Sequence, residues 1–60
     1  MSVEELNHNI SAERKAVSDY ERFYRNLARA GKTTDARLVL HILNEERSHL
    51  RDLLARRRYF

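Results

Sequence analysis

The sequence predicts an all-α fold: an antiparallel two-helix hairpin that pairs with a second copy of itself into a four-helix bundle. Three observations carry this reading. Proline is absent and Gly31 is the only glycine among sixty residues, so the chain has one strong interruption, near its middle. Apolar residues on either side of it recur at spacings of three and four, the period of a helix packed along one side, and nothing alternates with the period of a strand. The chain is also short. A domain of this size buries only about 60 % of the surface its unfolded form exposes, and without cysteine it has no disulfide or thiolate metal site to reinforce it, which leaves self-association.

A single helical-hairpin domain is expected to fill residues 1–60. Ser2 and Glu5 have the spacing of a capping box, in which the serine oxygen accepts a backbone N–H and the glutamate reaches back to the cap, so helix one is expected over about residues 3–30. Gly31 suits the left-handed position just past a helix end, and Thr33, Thr34 or Asp35 can cap the next helix, expected over about 35–57. At about 1.5 Å per residue the two are roughly 40 Å and 35 Å long, and the short connection makes them antiparallel neighbours.

On helix one Leu6, Ile10, Val17, Tyr20, Tyr24 and Leu27 form the apolar stripe. The series calls for an apolar residue at position 13, and the residue there is Glu13, near the middle of the stripe. On helix two Leu38, Val39, Leu40, Ile42, Leu43, Leu50, Leu53 and Leu54 define an apolar face about 200° wide, with Glu46 and His49 inside it. One neighbouring helix covers only about half of such a face, and a dimeric four-helix bundle supplies the rest.

Unpaired carboxylates in that seam cost several kcal/mol each even after relaxation, so about four of them in a dimer need neutralising. The basic residues of helix one, Arg14, Lys15, Arg22, Arg25 and Arg29, mostly point away from the stripe centre. Divalent cations are the other solution, and oxygen plus imidazole suits iron or manganese and tolerates zinc. Glu46 and His49 form Glu-x-x-His, which places both on one face a turn apart. Two helices giving one Glu each and two giving Glu-x-x-His is the ligand pattern of di-iron bundles. A symmetric dimer of this hairpin would contain four Glu and two His.

Glu13, Tyr20, Glu46 and His49 follow Glu-x6-Tyr-x25-Glu-x2-His, and this pattern resembles the first half of rubrerythrins and bacterioferritins, within the ferritin-like di-iron superfamily. Ala12-Glu13 through Tyr20 and the run Glu45-Glu46-Arg47-Ser48-His49-Leu50 are similar to rubrerythrins in particular. The resemblance implies a ferritin-like four-helix bundle with two iron ions per dimer. It implies that Glu13 is a terminal ligand, Glu46 a bridge between the irons, His49 a ligand to one of them, and Tyr20 a hydrogen-bond donor to a ligand carboxylate. Full-length relatives carry a second helix pair with its own Glu and Glu-x-x-His, which these sixty residues lack. Encapsulated ferritins are similar to the chain in this respect, being single hairpins that complete their site between subunits. The activity implied is ferroxidase or peroxide-reducing chemistry, in a homodimer or a higher homo-oligomer.

Blander readings stand beside this one. Glu13 can be an interior polar residue that fixes register, His49 a rim histidine, and Tyr20, with Phe23 and Tyr24, plain core. His8 and His41 fall off the stripes and are expected to be exposed. Counted from Gly31 and Thr34, Glu13 lies about 27 Å along helix one, and Glu46 and His49 about 18 and 22 Å along helix two, an offset of roughly 5 to 9 Å.

The net charge of +3 and sequence pI near 9.8 raise the alternative of a metal-free helical dimerisation module that binds nucleic acid or a protein partner through its basic surface. The run Arg56, Arg57, Arg58 holds much of that excess, and cations favour the negative end of a helix dipole, so a solvated helix end is preferred and nucleic acid is not the expected partner. No apolar run approaches the roughly 18 residues of a membrane span. Charge is mixed throughout the first twenty residues with no signal-peptide core, and a cytoplasmic protein that does not engage membranes is expected.

Overall fold

The computed structural model describes all sixty residues as two helices, α1 (Val3–Arg29) and α2 (Thr33–Arg57), packed against each other as a hairpin. The expected capping box opens α1: the Glu5 N–H donates to Ser2 Oγ at 3.1 Å, and the Ser2 N–H donates to Glu5 Oε1 at 3.2 Å. At the other end Gly31 takes φ +72°. The Lys32 N–H donates to the Leu27 carbonyl at 3.0 Å and the Gly31 N–H to the Ala28 carbonyl at 3.1 Å, the paired bonds of a Schellman turn.

Helix α2 differs from expectation at its start. It begins at Thr33, two residues early, with Lys32 in the capping position and no side-chain capping bond. None of Thr33, Thr34 or Asp35 caps it. The reason is that the turn delivers the backbone directly into helical geometry, with the Thr33 N–H bonded to the Gly31 carbonyl at 3.0 Å and the Ala36 N–H to the Lys32 carbonyl at 2.8 Å. The threonines thereby become first-turn residues, and Asp35 places its negative charge near the positive end of the helix dipole.

Only Leu6, Ile10, Ala36, Val39 and Leu43 are buried. The rest of the predicted stripe of α1, Val17, Tyr20, Tyr24 and Leu27, is half-buried. The hairpin measures 44 × 14 × 13 Å with a radius of gyration of 13.8 Å, against about 10 Å for a globular chain of this length. Its accessible surface of 4674 Å² exceeds the roughly 4,100 Å² of a globular monomer of this mass. Two helices alone do not close a core.

Part of the uncovered apolar surface lies together on one side. At about 100° per residue, Leu38, Ile42, His49 and Leu53 fall within about 60° of one another on α2, and Ala12, Ala16 and Phe23 within about 40° on α1. Leu38 is 60 % exposed and Phe23 50 %. Ala12, His49 and Leu53 line one groove, which places both arcs on the same side of the hairpin. No helix is long and apolar enough to cross a membrane.

Candidate metal centre

Glu13 lines the groove from the middle of α1 and His49 from α2, with Glu46 one turn before His49. Each offers one ligand atom, and all three atoms lie within 4.8 Å of one another. The two glutamates are half-buried and the histidine is exposed. Together they bring three of the four residues singled out from the sequence to one place.

No lysine or arginine pairs with Glu13 or Glu46, since the ion pairs of the chain run instead between Lys15 and Asp19, Arg22 and Asp19, Arg25 and Glu21, Arg47 and Glu21, and His41 and Glu45. Oε2 of Glu13 is the single buried side-chain oxygen without a hydrogen-bond partner. Such an orphaned group costs about 1–3 kcal/mol, more when charged. The Glu13 carboxyl is held above its ordinary range, first by the neighbouring Glu46 carboxyl and then by burial, with the His49 imidazole pulling the other way. Two carboxyls this close repel when both are ionised, and a cation between them would remove that cost.

A small divalent ion holds carboxylate and imidazole ligands at about 2.0–2.2 Å, which puts its two most distant ligand atoms about 4.2 Å apart. The observed spread exceeds this by less than an ångström, within reach of glutamate rotamers. The chemistry also fits: two carboxylates balance one divalent charge, and the orphaned Oε2 supplies a free lone pair.

Tyr20 is half-buried and makes no hydrogen bond to Glu13, Glu46 or His49 within the hairpin; the five side-chain bonds of the chain lie elsewhere. A groove of about 420 Å³ opens over the cluster, lined by Asn9, Ala12, Glu13, His49, Asp52 and Leu53. Asp52 was not among the residues singled out from the sequence. It extends the spacing to Glu46-x2-His49-x2-Asp52, a repeat of three that keeps successive side chains near one face, and that signal could have found it. His41 is exposed, as expected, and bonds Glu45 at 2.7 Å.

Comparison with known proteins gives no match to a family model, a curated protein or a solved structure. The ferritin-like resemblance rests on the residues themselves.

Proposed function

We propose that the hairpin is half of a ferritin-like dinuclear metal centre, completed by a second copy across the apolar side that carries Glu13, Glu46 and His49, and that the assembled centre oxidises ferrous iron with oxygen or peroxide. The observation that carries this is the orphaned Glu13 Oε2 beside Glu46 and His49, with ligand atoms inside 4.8 Å and no basic side chain to neutralise them. One hairpin supplies too few protein ligands for two ions. A two-fold copy doubles the set to four carboxylates and two imidazoles, the complement of di-iron bundles.

In the assembled centre Glu13 and His49 would each hold one ion and Glu46 would bridge the pair. Two irons held so would supply two electrons to oxygen or peroxide. Glu13 and Glu46 would both be ionised when holding the cations, since a ligand carboxylate must be. The Tyr20 hydroxyl, unpartnered within the hairpin, would orient a ligand carboxylate, and Val17 and Ile42 would limit the access of water.

The test is to load the purified protein with ferrous iron anaerobically, admit air, and record the near-ultraviolet absorbance of oxo-bridged ferric iron together with the mass in solution. A dimer whose absorbance rises, with no rise in Glu46→Ala, supports the reading. A monomer, or traces identical in wild type and variant, rejects it.

A further inference from the structure

The arginines of the second half of α2 are placed differently from a merely solvated helix end. Residues 47–60 contain Arg47, Arg51, Arg56, Arg57 and Arg58 against the single acid Asp52, so this segment carries +4, while the seven basic and eight acidic residues before it sum to −1. The positive charge of the chain is therefore the property of one end of the hairpin. It far exceeds the roughly half negative charge of a helix C-terminus.

Arg51, Arg56, Arg57 and Arg58 have no carboxylate partner, and Arg47 has only a long contact of 3.8 Å to Glu21. Arg51 instead donates to Ser48 Oγ at 3.2 Å. Arg47, Arg51 and Arg58 lie along one flank of α2, bordering a groove of about 380 Å³ with Leu50, Leu54 and Ala55. At about 100° per residue Arg51 is about 160° around the helix from His49, so this groove faces away from the proposed metal centre and its dimer side. At the end of the helix the Arg56 guanidinium lies 5.6 Å from the Phe60 ring centre, and Tyr59 is 84 % exposed.

We propose that this face, formed by Arg47, Arg51 and Arg58 along the groove with Arg56, Arg57 and the exposed Tyr59 beyond it, binds the phosphate backbone of single-stranded nucleic acid and stacks a base on Tyr59. All five cations are arginine, whose planar fork matches phosphate oxygens bidentately and stacks on rings, where lysine would act only as a point charge. A free aromatic ring beside a basic track is the combination that holds single strands, because any base can stack on it. The geometry suits insertion into a lipid surface less well: Leu50 and Leu54 are half-buried and interleaved with Arg47, Arg51 and Arg58 along the groove, so the flank presents no continuous apolar face to enter the acyl boundary.

The test measures fluorescence anisotropy of a labelled twenty-residue oligothymidylate with the purified protein from 50 to 200 mM potassium chloride, beside an abasic oligomer of the same phosphate count, poly-glutamate and anionic phospholipid vesicles. Single-stranded binding loses about 0.7 in the slope of log affinity against log salt for each phosphate contact. The double variant Arg51→Gln with Arg58→Gln is therefore expected to reduce the slope by about 1.4. Tyr59→Ala is expected to lower affinity about tenfold at every salt concentration with the slope unchanged, and Tyr59→Phe to restore it. Circular dichroism checks that each variant keeps its helices. Absent binding, a wild-type slope in the double variant, an unaffected Tyr59→Ala, or equal affinity for the abasic oligomer, poly-glutamate or vesicles overturns the proposal.

Discussion

Glu13 of α1 and His49 of α2 stand level along the hairpin: Glu13 lies sixteen residues before Arg29, where α1 ends, and His49 sixteen residues after Thr33, where α2 begins. Each is about 24 Å from the turn, and Glu46 is about 4.5 Å closer to it. The offset of 5 to 9 Å that followed from counting at Gly31 and Thr34 thus shrinks to about one helical turn or less. The uncapped start of α2 brings the second helix into this register, and the site inherits it.

Metal is expected to stabilise the fold through Glu13, Glu46 and His49. A ligand that binds only the folded form adds about 2.7 kcal/mol at a free concentration of a hundred times its dissociation constant. For a chain of this size that raises the thermal midpoint by about 10–20 °C. Manganous ion, which does not oxidise readily, is the convenient probe. Thermal melts with and without it should separate in wild type and coincide in Glu46→Ala; coincident wild-type melts would remove the metal reading.

The metal-free protein should lose stability as pH rises. The folded Glu13 carboxyl titrates above its ordinary value of 4.5, so the folded state holds its proton more tightly than the unfolded chain does. Its contribution is therefore fully present below the unfolded value and is lost as pH climbs through the raised folded value. Glu13→Gln keeps a hydrogen-bonding group without the titration and should flatten that part of the profile. Asp19 has the opposite sign, held low first by its hydrogen bond from Lys15, but it is exposed and its contribution is screened. Denaturant melts from pH 4 upward in the presence of a chelator read the difference between wild type and Glu13→Gln, and parallel profiles would contradict it.

Gly31 offers a cleaner measurement of the turn. A Cβ added there meets nothing within 4 Å, so the cost of Gly31→Ala arises from the left-handed backbone alone, about 1–2 kcal/mol. Gly31→Asn should cost less, because asparagine tolerates that conformation better. Chemical denaturation of the three proteins, compared at equal slopes, tests the ranking Gly, then Asn, then Ala.

The hairpin itself was legible because its signals are local: one glycine, one capping box and a helical period on either side. The convergence of Glu13, Glu46 and His49 was legible as polar interruptions of apolar stripes. The start of α2 was not, because Thr33, Thr34 and Asp35 are all better caps than Lys32 and the backbone bonds of the turn decided the matter instead. Tyr20 was placed on the stripe correctly, yet a hydroxyl's partner depends on tertiary geometry that spacing does not encode. Leu38 shows the limit of periodicity as well. It belongs to the wide apolar face by angle, but α1 covers only the arc around Ala36, Val39 and Leu43.

That difference between Leu38 and Leu43 separates folding of the hairpin from assembly of the proposed dimer. Leu43 is 2 % exposed, and Leu43→Ala should cost about 2–5 kcal/mol, enough to unfold a chain with so small a core. Leu38 is 60 % exposed, so Leu38→Glu removes little from the hairpin and leaves its helical signal intact. Across the proposed two-fold interface the same change places two carboxylates in an apolar contact, where each costs several kcal/mol. The expected result is a helical protein whose mass in solution falls from dimer to monomer and whose manganese-dependent rise in thermal midpoint disappears with it, although Glu13, Glu46 and His49 are untouched. Leu38→Ala, which adds no charge, should keep the dimer at high protein concentration. A Leu38→Glu protein that stays dimeric and keeps its metal-dependent stabilisation would show that the second copy, if present, docks elsewhere.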